Sequence, residues 1–198
     1  VQDVRELPIL AGTPPGSYTI DLVVYGMHGE EWLLPSGDPE VLLGPVDIPL
    51  DSAPSIDDLD IEHTLSHNLA GKVELLGYNV DNGGRAGAGI HLTSFWQALQ
   101  SMDTSYTVFT QLIGPDGKVW GQKDNPPAAG FHPTDSWTPG ELVRDQYDIP
   151  IGADAPPGNY QIHLGMYLPE TGERLLLVDD QGNALGDHVA LSGLDVTR

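Results

Sequence analysis

The stretch from Trp120 to Glu141 is the most site-like part of this sequence. It carries Trp120 and Gln122, then Asp124, Asn125, Phe131, His132, Thr134, Asp135 and Trp137. Residues 123–141 show no periodicity and include four prolines, Pro126, Pro127, Pro133 and Pro139. A connection of that length without its own pattern is unusual inside a compact domain and is often functional. The residue types suit sugar recognition. A flat aromatic ring packs on the apolar side of a pyranose, while amides, carboxylates and imidazoles hydrogen-bond its hydroxyls. The candidate ligand-binding residues are Trp120, Gln122, Asp124, His132 and Trp137, with the tryptophans stacking and Asp124 and His132 meeting hydroxyls. The opposing reading is that the prolines stiffen a surface loop and Trp137 plugs one end of a sheet structure. Exposure of Trp120 and Trp137 separates the two.

Other constellations carry less. Glu62, His63 and His67 would place two imidazoles on one face of a helix, as zinc sites do. They lack the glutamate of a metalloprotease helix, and an ordinary polar connection explains them. Asp179-Asp180-Gln181-Gly182-Asn183 offers alternating oxygens, but Ala184 stands where a calcium loop needs glycine and Ala190 where it needs glutamate. A hairpin turn explains the same letters. Asp57, Asp58 and Asp60 read as part of an acidic linker. The sequence contains no nucleophile elbow, phosphate-cradling loop or dinucleotide fingerprint. Asp124, Asp135 and Glu141 are acids around the long loop, yet nothing pairs them as a glycosidase requires. No catalytic residue, metal or cofactor is therefore assigned.

Composition narrows the partners. With 29 acidic and 8 basic residues the net charge is −21, a field that repels nucleic acid and anionic lipid surfaces. Cations and neutral partners such as glycans, or another surface protein, suit it better. Cysteine is absent, so disulfides and thiolate metal sites are excluded. No apolar run is long enough for a membrane helix, and no signal peptide is recognisable, so no membrane contact by these residues is expected.

The positioning elements read as strands. Gly 24 and Pro 17 punctuate short runs rich in Val, Ile, Tyr and Thr, the texture of an antiparallel β-sandwich, immunoglobulin-like in the broad sense. Strands are expected over 4–9, 17–25, 31–34, 41–48, 72–79, 90–98, 106–113, 118–122, 142–150, 158–167, 174–178 and 189–196. In 90–98, Leu92, Ser94 and Trp96 share one face and His91, Thr93 and Phe95 the other, with Trp96 in the core. An internal repeat is also visible. Pro14-Pro15-Gly16 matches Pro156-Pro157-Gly158, and Tyr18, Ile20, Leu22 and Tyr25 match Tyr160, Ile162, Leu164 and Tyr167. Val46-Asp47-Ile48 matches Leu194-Asp195-Val196. Residues 1–50 thus read as the second half of a module, 51–60 as a linker and 61–198 as a complete module. The half-module is expected to cover the complete one or to pair with another chain, with Trp32 in the contact.

Several stretches resemble the extracytoplasmic β-sandwich modules found at the C-terminal end of bacterial protein-mannosyltransferase-type membrane glycosyltransferases and in related surface proteins. They are Leu75-Leu76-Gly77-Tyr78, Phe95-Trp96-Gln97-Ala98, Tyr106-Thr107-Val108-Phe109 with Leu112 to Gly117, Trp137-Thr138-Pro139-Gly140-Glu141, the strand 156–167, and Thr171-Gly172-Glu173-Arg174. The resemblance implies a non-catalytic, cell-surface accessory module contacting glycan, as part of a membrane-anchored protein. A spacer without ligand, or a glycan hydrolase, are the alternatives.

Overall fold

The structure is a computed structural model that describes residues 6–24, 33, 36, 37, 40–49, 54–81 and 83–198. The described strands are β1 (Gly16–Val23), β2 (Glu40–Ile48), β3 (His63–Leu69), β4 (Val73–Val80), β5 (Gly83–Arg85), β6 (Gly89–Ala98) and β7 (Thr107–Ile113). They continue with β8 (Val119–Asn125), β9 (Leu142–Pro150), β10 (Gly158–Tyr167), β11 (Leu177–Val178), β12 (Ala184–Gly186) and β13 (Val189–Thr197). Two compact units result, residues 14–52 and residues 1–13 with 53–198.

The larger unit is a β-sandwich. One sheet has the order β5-β13-β10-β7-β8 and the other β12-β11-β3-β4-β6-β9. All pairs are antiparallel except the short β13–β5 pair. Period-2 alternation sends Val108 and Leu112 of β7 inward with Tyr160, Ile162, Leu164 and Met166 of β10, where they meet Leu75, Leu92, Trp96, Tyr147 and Ile149 of the facing sheet. Trp96 is fully buried, and its indole N–H donates to Ser94 Oγ at 2.8 Å. Phe95, on the opposite face of β6 as the alternation requires, joins a second apolar cluster with Leu59, Leu76 and Leu142. Ala11 and Ile61 pack on that cluster, and the Arg144 N–H donates to the Gly12 carbonyl at 2.7 Å. That cluster covers part of the outer face of the six-stranded sheet, while His91, Gln146 and Asp148 on the same face stay exposed. Beside the edge strand β8, a Cβ on Gly121 would meet the Pro150 carbonyl at 1.9 Å, so this approach of two backbones requires glycine.

The smaller unit is the β1–β2 hairpin, and it reproduces the β10–β13 pairing. Gly16 faces Ile48, Ser17 faces Asp47 and Tyr18 faces Val46, then the register shifts. Gly158 faces Val196, Asn159 faces Asp195 and Tyr160 faces Leu194, then the register shifts. Both tyrosines donate their hydroxyl to a proline carbonyl four residues earlier at 2.7 Å, Tyr18 to Pro14 and Tyr160 to Pro156. Burial differs between the copies. Tyr160, Ile162 and Leu164 are at most 1 % exposed, whereas Tyr18 and Ile20 are half-buried and Leu22 is exposed.

Some sequence expectations need revision. Residues 6–9 form no strand, and the rest of the expected 4–9 strand lies outside the described residues. The expected strand 31–34 also lies outside them, save Leu33, which is not in a strand; Trp32 and Tyr25 lie outside as well. His63–Leu69 is a strand, β3, although its polar sequence reads as a connection. Its pairing with β4 shifts register between Thr64 and His67, and that bulge hides the period-2 pattern. Within 51–60, residues Ile56–Asp58 form a 3-10 turn and Leu59 is buried.

Candidate functional site

The aperiodic loop is a set of tight turns locked to the sandwich. It makes 3-10 turns at Pro127–Gly130 and Thr134–Ser136. Ala128 and Ala129 take left-handed φ values of 51° and 53°, a conformation costing an L-residue roughly 1 kcal/mol or more. Asp145 on β9 holds that turn, accepting the Ala128 N–H on Oδ1 at 2.9 Å. The Thr134 hydroxyl accepts the Tyr106 N–H at 2.8 Å and donates to the Thr104 carbonyl at 3.1 Å. His132 Nε2 lies 2.6 Å from Glu141 Oε1, with both residues buried. The other Glu141 oxygen accepts from the Thr138 N–H and hydroxyl at 2.8 and 3.0 Å. Trp137 is 2 % exposed, lies in the core, and donates its indole N–H to the His132 carbonyl at 3.0 Å.

The five candidate residues thus separate. His132 and Trp137 come together in the interior, where neither ring offers a face to solvent. Trp120 is half-buried against the core and donates to Asp116 Oδ1 at 2.9 Å, a bond that helps hold the Asp116 carboxyl below its usual range. Gln122 and Asp124 come together on β8, with Gln122 Nε2 donating to Asp124 Oδ2 at 3.0 Å. Phe131, at the loop tip, is 86 % exposed.

Gln122 and Asp124 belong to a larger arrangement, the outer face of the five-stranded sheet. Inward packing of Val108 and Leu112 turns Phe109 and Gln111 outward on β7, and inward packing of Ile162, Leu164 and Met166 turns His163, Gly165 and Tyr167 outward on β10. In register, Phe109 sits between Gly165 and Asp124, and Gln111 between His163 and Gln122. A Cβ on Gly165 would meet the Phe109 ring at 2.7 Å, so glycine here lets the ring lie flat across the next strand. Arg174 is brought over that ring by an isolated bridge to Tyr167. Its guanidinium lies 4.1 Å from the Phe109 centroid, with Nη1 donating to Asp187 Oδ2 at 3.0 Å and Nη2 to Gln111 Oε1 at 3.5 Å. Asp187 also meets His188 Nδ1 at 2.7 Å, and the His188 and His163 rings stack 3.9 Å apart.

Electrostatics organise the same groups. His188 first, then Arg174, hold the Asp187 carboxyl below its ordinary range. Burial, then His188 and Arg174, push the His163 imidazole down. Burial and the neighbouring Asp124 carboxylate push the Tyr167 hydroxyl up. Asp124 Oδ1 is buried with no hydrogen-bond partner among the described residues. The arrangement is a half-exposed polar surface over a phenyl ring, already fixed by internal bonds.

The remaining constellations resolve as local structure. His63 stacks on Tyr78 at 4.7 Å and lies on a strand, not a helix. Asp179 accepts from the Gln181 and Asn183 N–H groups at 2.9 and 2.8 Å, closing the β11–β12 turn. Among the described residues, no three His, Cys, Asp or Glu residues are grouped to hold a metal ion. No helix among them is long and apolar enough to cross a membrane. The residues missed in the sequence are Phe109, Gln111, His163, Tyr167, Arg174, Asp187 and His188. The available signal was an aromatic among polar positions on one parity of β7, Thr107, Phe109 and Gln111.

No protein-family model matches the chain, and no curated protein matches it. Among solved structures, the crystal structure of the C-terminal domain of Wzt is similar to it, with 12% sequence identity and a TM-score of 0.44, covering 76% of this chain and 90% of that chain. The architecture described above rests on the strand register itself.

Proposed function

We propose that the sandwich is a non-catalytic accessory module that binds carbohydrate across the outer face of its five-stranded sheet. The observation that carries this reading is the fixed set of Gln111, Asp124, Tyr167, Arg174 and Asp187 around Phe109. Sugar hydroxyls need donors and acceptors held in place, because each bond replaces one to water and gains little unless the partner is already oriented. On this reading Trp120, His132 and Trp137 support the fold, while Gln122 and Asp124 contact ligand. A place outside the cytoplasm, in the cell-surface glycan machinery of a membrane-anchored glycosyltransferase-type protein, is part of the proposal.

The test is a glycan array followed by calorimetry on the best ligand, with Gln111→Ala and Tyr167→Ala variants checked for folding by circular dichroism. The expected result is saturable binding that each variant weakens tenfold or more. A blank array with folded protein, or binding that both variants leave intact, refutes it. The second reading, a spacer without ligand, is favoured by the burial of Trp137 and predicts the blank array.

A further inference from the structure

One end of the sandwich holds a cavity of about 320 Å³ between the β3–β4 turn and the β10–β11 connection. Its lining includes Lys72, Tyr106, Leu168, Leu175, Leu176 and Val178. Tyr106 and Leu175 are buried, while Leu176 is 45 % exposed, so the apolar wall runs from the interior to the surface. The size is at the lower end of cavities that take small organic ligands.

Three charged side chains, Lys72, Glu173 and Arg174, break this wall. Lys72 Nζ lies 5.9 Å from the centre of the Tyr106 ring and has no carboxylate within 4.0 Å among the described residues. Lys123, Arg85 and Arg144 likewise have no carboxylate within 4.0 Å among the described residues, but none of them lines the cavity. Arg174, which also lines the cavity, is bound to Asp187, and Lys118 is bound to Asp116 at 3.2 Å. An unpaired ammonium beside leucines is placed for an anion that brings its own apolar body. A sugar does not match this lining, since most of it offers nothing to a hydroxyl. Glu173 on the same lining disfavours a second negative charge.

We propose that this cavity binds a small amphipathic monocarboxylate, its carboxylate on Lys72 and its hydrocarbon against Leu168, Leu175, Leu176 and Val178. The cavity shares Arg174 with the carbohydrate face, but Lys72 and the leucines lie outside that face, so the two readings are tested separately. The test is isothermal titration of the full chain near neutral pH with octanoate below its micellar concentration. Octanamide, isosteric and neutral, is the control, and a Lys72→Met variant, which keeps the stem and removes the charge, is titrated with both. The expected result is saturable one-to-one binding of octanoate, at least tenfold tighter than octanamide, with Lys72→Met erasing that difference while leaving the thermal midpoint unchanged. No saturable binding by the folded protein overturns the proposal. So does equal binding of the two probes, or octanoate binding that Lys72→Met leaves unchanged.

Discussion

Raising the pH from about 4.5 to about 7.5 should cost this module stability through one carboxyl, Asp145. Its side chain is buried on β9, where Oδ1 accepts the Ala128 and Gln146 N–H groups and Oδ2 accepts the Tyr147 hydroxyl. Burial raises its pKa from 3.8 to about 6, and those three hydrogen bonds only partly oppose the rise. The unfolded chain therefore ionises this carboxyl more readily than the folded one. The stabilising contribution is complete below the unfolded pKa and is lost as pH rises through the folded one. A shift of about 2 pKa units corresponds to about 3 kcal/mol in full, of which about 2 kcal/mol falls between pH 4.5 and 7.5. Acidification also relieves repulsion in a chain of charge −21, so the measurement needs an internal reference. Asp145→Asn supplies it, because the amide oxygen still accepts the two backbone N–H groups without titrating. Urea unfolding followed by fluorescence of the buried Trp96 and Trp137 gives stability at both pH values. The variant should lose about 2 kcal/mol less than the parent between them. Parallel pH dependence in the two proteins would refute the assignment.

Two further outcomes test the packing argument. Trp137→Ala should cost about 3–5 kcal/mol in urea unfolding, because it empties a core position and removes the bond to the His132 carbonyl. Trp120→Ala, at a half-buried site, should cost less. Tyr160→Phe and Tyr18→Phe should each cost about 0.5–1.5 kcal/mol, because the two bonds have the same length, 2.7 Å, and both are part-buried. No loss in either variant by urea unfolding would mean that this repeated bond contributes nothing to stability.

Local pattern was enough for much of the architecture. Strands β9 and β10 were legible to the residue, and the two faces of β6 followed from its alternation, because period 2 is a property of the backbone itself. The repeat was legible as a recurring proline-glycine turn, tyrosine and closing strand, and the structure adds that both copies pair in the same register. β3 was not legible, because a bulge interrupts its pairing. The site was legible only in Gln122 and Asp124, and the reason is physical. Alternation says that Phe109 and Leu112 point opposite ways, but not which face a second sheet covers. That depends on which strands become neighbours, and it is this neighbourhood that sets Arg174 over Phe109, 65 positions away, and Asp187 beside Arg174. The same limit applies to Trp137. Its letters suit stacking on a sugar, and only the docking of its loop against the core buries the ring.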